Sequence, residues 1–148
     1  MGTTHGRWKL KRPFEVSHLD HLVLRTTRLQ EMADFYVLLG GYVARDVRSE
    51  LGMLQIQLGR SMIDLIDVDD KLGAAGGSAP QDQGRNLDHF AVRIEPFDEA
   101  SILSFCAQHD LSAQALPFNL YGADGLGPAV YVSDPDGNKV ELKGPPEA

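Results

Sequence analysis

Leu19-Asp20-His21-Leu22-Val23-Leu24-Arg25 and Leu87-Asp88-His89-Phe90-Ala91-Val92-Arg93 are two versions of one stretch, set 68 residues apart. Leu, Asp, His and Arg are identical, and the three positions between His and Arg are apolar in both copies. The same offset pairs Glu31 with Glu99 and Phe35 with Leu103 without a gap. An internal repeat of this period predicts two copies of one supersecondary module. Each quoted stretch is apolar and bounded by polar residues, which predicts a strand.

Downstream of each strand the pattern turns helical. Leu29, Met32, Phe35, Tyr36 and Leu39 recur at helical spacing, and Gly40-Gly41 supplies the stop. In the second copy Phe97, Ile102, Phe105 and Cys106 carry a similar stripe, with Asp98 and Glu99 in the first turn, where the helix dipole favours them. Three strands follow each helix, at about 42–48, 51–58 and 61–67, then at about 112–116, 129–133 and 139–143. Asp134-Pro135-Asp136-Gly137-Asn138 joins the last two, with Pro135 presetting a turn and Gly137 free to take the left-handed position. The fold expected is α+β: two βαβββ modules forming a curled, mostly antiparallel sheet around a central cavity. The expected organisation is an N-terminal arm at 1–16 and a single domain at 17–148. Within it, module one spans about 17–69, a Gly/Ala/Ser-rich linker about 70–86, and module two about 87–144.

Composition narrows the function. The chain has 148 residues, enough for one core, and a formal net charge of −7. Its pI of about 5.1 speaks against a nucleic-acid surface and against affinity for anionic membranes. Cys106 is the single cysteine, so no intrachain disulfide and no cysteine zinc site can form. It reads as a small buried hydrophobe rather than a nucleophile, although His109 lies three residues on. No apolar run is long enough for a membrane span. The N-terminal arm carries Arg7, Lys9, Lys11 and Arg12 but no apolar core segment, so it is not read as a secretory signal. It reads as a basic arm, or as a segment docked by Trp8 and Leu10 on the body or on a partner chain. The expected location is cytoplasmic.

Strand alternation selects the candidate site. His21 shares a face with Leu19, Val23 and Arg25, and His89 shares one with Leu87, Ala91 and Arg93. The repeat puts both imidazoles at equivalent points about a pseudo-two-fold axis. Aligning Met62-Ile63-Asp64-Leu65-Ile66 with Lys139-Val140-Glu141-Leu142-Lys143 sets Asp64 on Glu141. Each carboxylate has aliphatic neighbours that must face the core, so it faces the concave side, where it needs solvent, a partner or a metal. Two histidines with one or two carboxylates suit one divalent ion, of Fe, Mn, Ni, Co or Zn, with open positions left over. The other reading is that the histidines simply bond neighbours such as Asp20, or water. Gln55 and Gln57 share the concave face with Met53 and could orient a substrate. The glycine-rich segment 119–127 suggests a mobile lid beside the site.

On these stretches the chain resembles the vicinal oxygen chelate superfamily, which includes glyoxalase I, extradiol dioxygenases, fosfomycin-resistance proteins and bleomycin-binding proteins. The resemblance runs from Ser17 to Gly144. It is carried by Leu19–Arg25, by Asp34-Phe35-Tyr36 with Leu39-Gly40, by Leu87–Arg93, and most specifically by the closing YVSDPDGNKVELKG. It implies that His21, His89 and Glu141 are metal ligands. It also implies that Asp64 stands at the fourth-ligand position of glyoxalase I, usually Glu there. A homodimer sharing ligands between chains is implied as well, with a small-molecule substrate. In the glyoxalase-like reaction (the lactoylglutathione lyase type) an enediolate develops on substrate oxygens, and Asp64 or Glu141 shuttles a proton between adjacent carbons.

Within that family several activities compete. Bleomycin-type binding proteins lack the metal set that this chain retains. Tyr131, ten residues before Glu141, matches a substrate-side tyrosine of both extradiol dioxygenases and fosfomycin-resistance proteins. The latter also have a threonine where this chain has Val23 and a serine where it has Ala129, and no arginine follows Arg93. The familiar extradiol enzymes have four modules and extra histidines. Glyoxalase-like chemistry is therefore the expected activity, with Tyr131, Gln55, Gln57 and Arg25 as candidate substrate contacts.

Overall fold

The computed structural model of the protein describes residues 11–147. The expectations placed on Arg7, Trp8, Lys9 and Leu10 lie outside the described residues. Module one runs β1 (His21–Thr26), α1 (Leu29–Leu38), β2 (Tyr42–Val47), a single turn α2 (Arg48–Leu51), β3 (Met53–Leu58) and β4 (Ser61–Asp67). Module two runs β5 (His89–Arg93), α3 (Glu99–Gln108) and β6 (Ala113–Ala115). A hairpin of β7 (Leu120–Gly122) and β8 (Gly125–Gly127) then precedes β9 (Ala129–Ser133) and β10 (Lys139–Lys143).

The strands form two unclosed four-stranded sheets of the same order, β1-β4-β3-β2 and β5-β10-β9-β6, plus the separate β7–β8 hairpin. β1 lies parallel to β4 and β5 to β10, and the other pairs are antiparallel. The α+β class and the repeated module stand as expected, with the strands divided between two sheets. Two local readings are corrected. Leu51 closes α2 rather than opening β3, because Gly52 takes the left-handed conformation (φ 67°) and ends that turn. The 119–127 segment is not bare loop. Its glycines dilute the β pattern without preventing pairing of Leu120 with Gly127 and Gly122 with Gly125.

Core formation follows from the apolar stripes. Met32, Ala33, Phe35 and Tyr36 are the buried face of α1. They belong to one cluster with Leu24, Leu54, Ile56, Ile63 and Leu65 of module one and Val130, Val132, Val140 and Leu142 of module two. Gly41 lets the helix end press on β3, since a Cβ there would meet Tyr36 O at 2.8 Å and Ile56 Cγ2 at 2.9 Å. Asp98 caps α3 by accepting from Ser101 N at 3.1 Å, so it precedes the first turn instead of lying in it.

One buried polar knot ties the modules together. Tyr36 OH donates to Asp134 Oδ2 at 2.7 Å. Asp134 Oδ1 also accepts from the amides of Asp136 and Asn138, and Oδ2 from Asn138 Nδ2. The turn closes as the sequence implies, with Gly137 at φ 79°. Burial raises the Tyr36 pKa first, reinforced by Asp134. Burial also raises the Asp134 carboxyl, against its own hydrogen bonds. No helix among the described residues is long and apolar enough to cross a membrane.

Candidate functional site

The face of each sheet opposite the core carries a matching set of polar groups. On module one, His21 opens β1, and Asp64 lies beside Val23 on β4 and opposite Gln55 on β3. On module two, His89 opens β5, and Glu141 lies beside Ala91 on β10 and opposite Tyr131 on β9. The registers are the same, so Gln55 is the structural counterpart of Tyr131 and Asp64 that of Glu141. Strand alternation, read from the sequence, is what sets these side chains on one face.

Both histidines are anchored through the same atom. His21 Nδ1 donates to Asp20 Oδ1 at 2.7 Å, and His89 Nδ1 donates to Asp88 Oδ2 at 2.6 Å. An ionised carboxylate only accepts, so Nδ1 carries a proton in both histidines. The bond to Asp20 raises the His21 pKa; burial opposes it and the charge of Asp64 adds to it. The bond to His89 lowers that of Asp88. The alternative kept open above, a bond to the neighbouring Asp, is therefore met in both copies. The bond engages Nδ1 and not Nε2, as in the carboxylate–histidine pairs that orient metal ligands.

Each half-site adds a buried carboxylate. Glu141 is 6 % exposed, and its Oε2 stands 3.3 Å from His89 Nε2. Asp64, 7 % exposed, accepts from Gln55 Nε2 at 3.1 Å, and Gln55 Oε1 accepts from Arg45 Nη1 at 2.9 Å. Tyr131 packs edge-on to His89 with ring centroids 5.6 Å apart, and Lys139 Nζ lies 5.1 Å from its centroid. Burial, then Glu141 and Asp88, raise the Tyr131 pKa.

The donors chemically fit a divalent ion: two imidazole nitrogens and two carboxylates. One chain groups them two by two. Among the described residues no three His, Cys, Asp or Glu side chains come close enough together to hold an ion. The histidine faces also remain open, with Leu19 70 % and Val23 48 % exposed beside His21.

Two candidate substrate contacts are engaged elsewhere. Arg25 donates to the carbonyls of Gly73, Gly77 and Ser78, fastening the linker to β1. Gln57 Nε2 donates to Gly59 O and Ser61 O, closing the β3–β4 turn. Arg45 and Lys143 were not singled out from the sequence. Arg45 lies on a strand whose alternation is interrupted by a bulge between Val43 and Arg45. Lys143 ends an apolar strand where a solvated lysine is the ordinary expectation. Between the modules lies a cavity of about 560 Å³, lined mainly by apolar residues that include Leu22, Leu58, Met62, Phe90, Val92 and Ile94.

A family model described as "Glyoxalase/Bleomycin resistance protein/Dioxygenase superfamily" matches residues 18–142. An integron cassette protein from Vibrio cholerae is similar in structure at TM-score 0.66 and 22 % identity, over 88 % of this chain and 97 % of that one. A virulence protein from Salmonella typhimurium matches at TM-score 0.67 and 20 % identity, over 89 % and 99 %. A lactoylglutathione lyase from Agrobacterium tumefaciens matches at TM-score 0.58 and 18 % identity, over 90 % and 96 %. At these identities the likeness is one of fold. A search of curated proteins finds no match.

Proposed function

The chain belongs to the glyoxalase/bleomycin resistance protein/dioxygenase superfamily, and we propose that within it the protein is a divalent-metal-dependent, glyoxalase-like enzyme acting as a homodimer. The observation that carries this reading is the duplicated half-site. In each copy an Nδ1-anchored histidine offers Nε2 on the same face as a buried carboxylate. Two donors make a poor site and four a good one. A second chain related by a two-fold axis can set His89 and Glu141 against His21 and Asp64, and would cover the exposed Leu19 and Val23. Two equivalent centres per dimer follow from the symmetry.

When bound, the ion would polarise paired substrate oxygens and stabilise negative charge on them. The chain's own residues do the rest. Asp20 and Asp88 hold the imidazole tautomers. Glu141 or Asp64 takes a proton from one substrate carbon and returns it to the neighbouring carbon. Gln55, braced by Arg45, fixes the Asp64 carboxylate, and Tyr131 borders the opposite half-site with its hydroxyl un-ionised at neutral pH. Arg25 and Gln57 serve the scaffold in this scheme.

Metal analysis of the protein beside His89→Ala tests the reading. Stoichiometric metal in the wild type, lost in the variant, supports it. Isomerisation of a methylglyoxal–thiol adduct without oxygen consumption would identify the glyoxalase-like reaction, whereas oxygen uptake with catechols would identify a dioxygenase. One observation favours a second reading. The apolar cavity between the modules suits a metal-free binding protein, and wild-type chain that takes up no metal on reconstitution would support that instead.

A further inference from the structure

Lys143, the last residue of β10, lies on the strand face that also carries Lys139 and Glu141. It is 6 % exposed, and its Nζ is buried without a hydrogen-bond partner among the described residues. An ammonium has three donors and a strong hydration shell, so burying it bare is costly and calls for a counter-charge. The nearby carboxylates are committed elsewhere. Glu141 faces His89, Asp124 and Glu95 pair with Arg93, and Glu147 accepts from Asn119.

The β7–β8 hairpin roofs the lysine, and two of its glycines are what make room. A Cβ on Gly122 would stand 3.1 Å from Lys143 Cε, and one on Gly127 would stand 3.0 Å from Nζ and 2.5 Å from Pro145 O. The outer side chains of the hairpin face solvent. Tyr121 is 83 % and Leu126 53 % exposed. Its outer links are Glu147 N donating to Leu126 O, Asn119 donating to Glu147, and Arg93 Nη2 donating to Asp124 in the turn between its strands.

We propose that Lys143 is a receptor for a small anion, a carboxylate or phosphate group, admitted beneath the β7–β8 hairpin. Lys143 and Glu141 stand two residues apart on one strand face, about 7 Å along the backbone. This deepens the enzyme reading and rests on it for one point, that the ligand is the substrate.

Calorimetric titration and thermal melts of the purified protein with acetate and with inorganic phosphate test the proposal. Lys143→Met and Lys143→Gln are run beside wild type and His89→Ala. Wild type should bind one of the two probes and melt higher in its presence, and the probe that binds names the anion. Both lysine variants should bind it at least tenfold more weakly, keep their metal content, and melt higher than wild type in anion-free buffer. His89→Ala should lose metal yet keep the anion, so failure of the metal centre and failure of the anion site are read separately. Equal binding by wild type and variants, or no binding by wild type, overturns the proposal. Loss of self-association in the lysine variants with no anion effect assigns the counter-charge to a second copy of the chain and overturns it as well. If Lys143→Met does not fold, Lys143→Gln alone decides.

Discussion

Replacing Tyr36 by Phe removes one oxygen and nothing else from the knot that joins helix α1 to the β9–β10 turn. The ring keeps its contacts, edge-on to Phe35 at 5.0 Å and tilted on Phe90 at 6.3 Å. What is lost is a 2.7 Å hydrogen bond to a buried carboxylate. A bond of that kind contributes about 1.5–3 kcal/mol. At this chain length that converts to a fall in melting temperature of roughly 4–10 °C. The loss has a pH signature. Asp134 already titrates above its ordinary value because it is buried, and the Tyr36 hydroxyl opposes that rise. A carboxyl whose folded pKa is raised costs stability as pH climbs from about 3.9, its unfolded value, and the cost is complete above the folded value. Removing the hydroxyl raises the folded pKa further and widens that window. Tyr36→Phe should therefore be more damaging at pH 7 than at pH 3.5, where the carboxyl is mostly protonated in both states. Urea denaturation at the two pH values, completed as a double-mutant cycle with Asp134→Asn, measures it. A coupling energy near zero, or a loss that is greater at pH 3.5, would show that the hydroxyl does not stabilise the ionised Asp134.

Other perturbations follow from single contacts. Asp88→Asn and Asp20→Asn each free an imidazole from its anchor and should weaken metal affinity by about 10–100-fold, measured by competition with a chelator. Asp98→Ala removes the cap of α3 and should cost about 1 kcal/mol, read from chemical denaturation. Gly41→Ala forces a Cβ against Tyr36 O at 2.8 Å and should cost about 1–3 kcal/mol; an unchanged midpoint contradicts the close approach. Arg25→Met releases the carbonyls of Gly73, Gly77 and Ser78, so amide exchange in the linker should quicken while β1 stays protected.

The fold was legible because it is written twice. The Leu-Asp-His stretch sets the first strand of each module, and the Asp-Pro-Asp-Gly-Asn turn sets the last pair. The coplacement of His21 with Asp64, and of His89 with Glu141, needs only strand alternation and the repeat, both visible in the sequence. Other features depend on long-range partners. Arg25 shares the face of His21, yet the linker carbonyls 48 to 53 residues away claim its guanidinium. Gln57 is spent on its own turn. The β7–β8 hairpin is masked by three glycines, and the burial of Lys143 follows from that hairpin lying over it. The identical Asp in both copies was a visible signal for the histidine anchors. Nothing local marks Arg45 as a brace for Gln55.

Mixing two crippled chains tests the shared metal centre most directly. His21→Ala and His89→Ala, each purified alone, should hold no metal as homodimers. In a centre shared across the two-fold, the heterodimer of the two variants keeps one intact centre, with His21 from one chain and His89 from the other. A shared centre predicts one metal ion per heterodimer and recovered activity. A reconstituted heterodimer still devoid of metal, where wild type binds two, would contradict it.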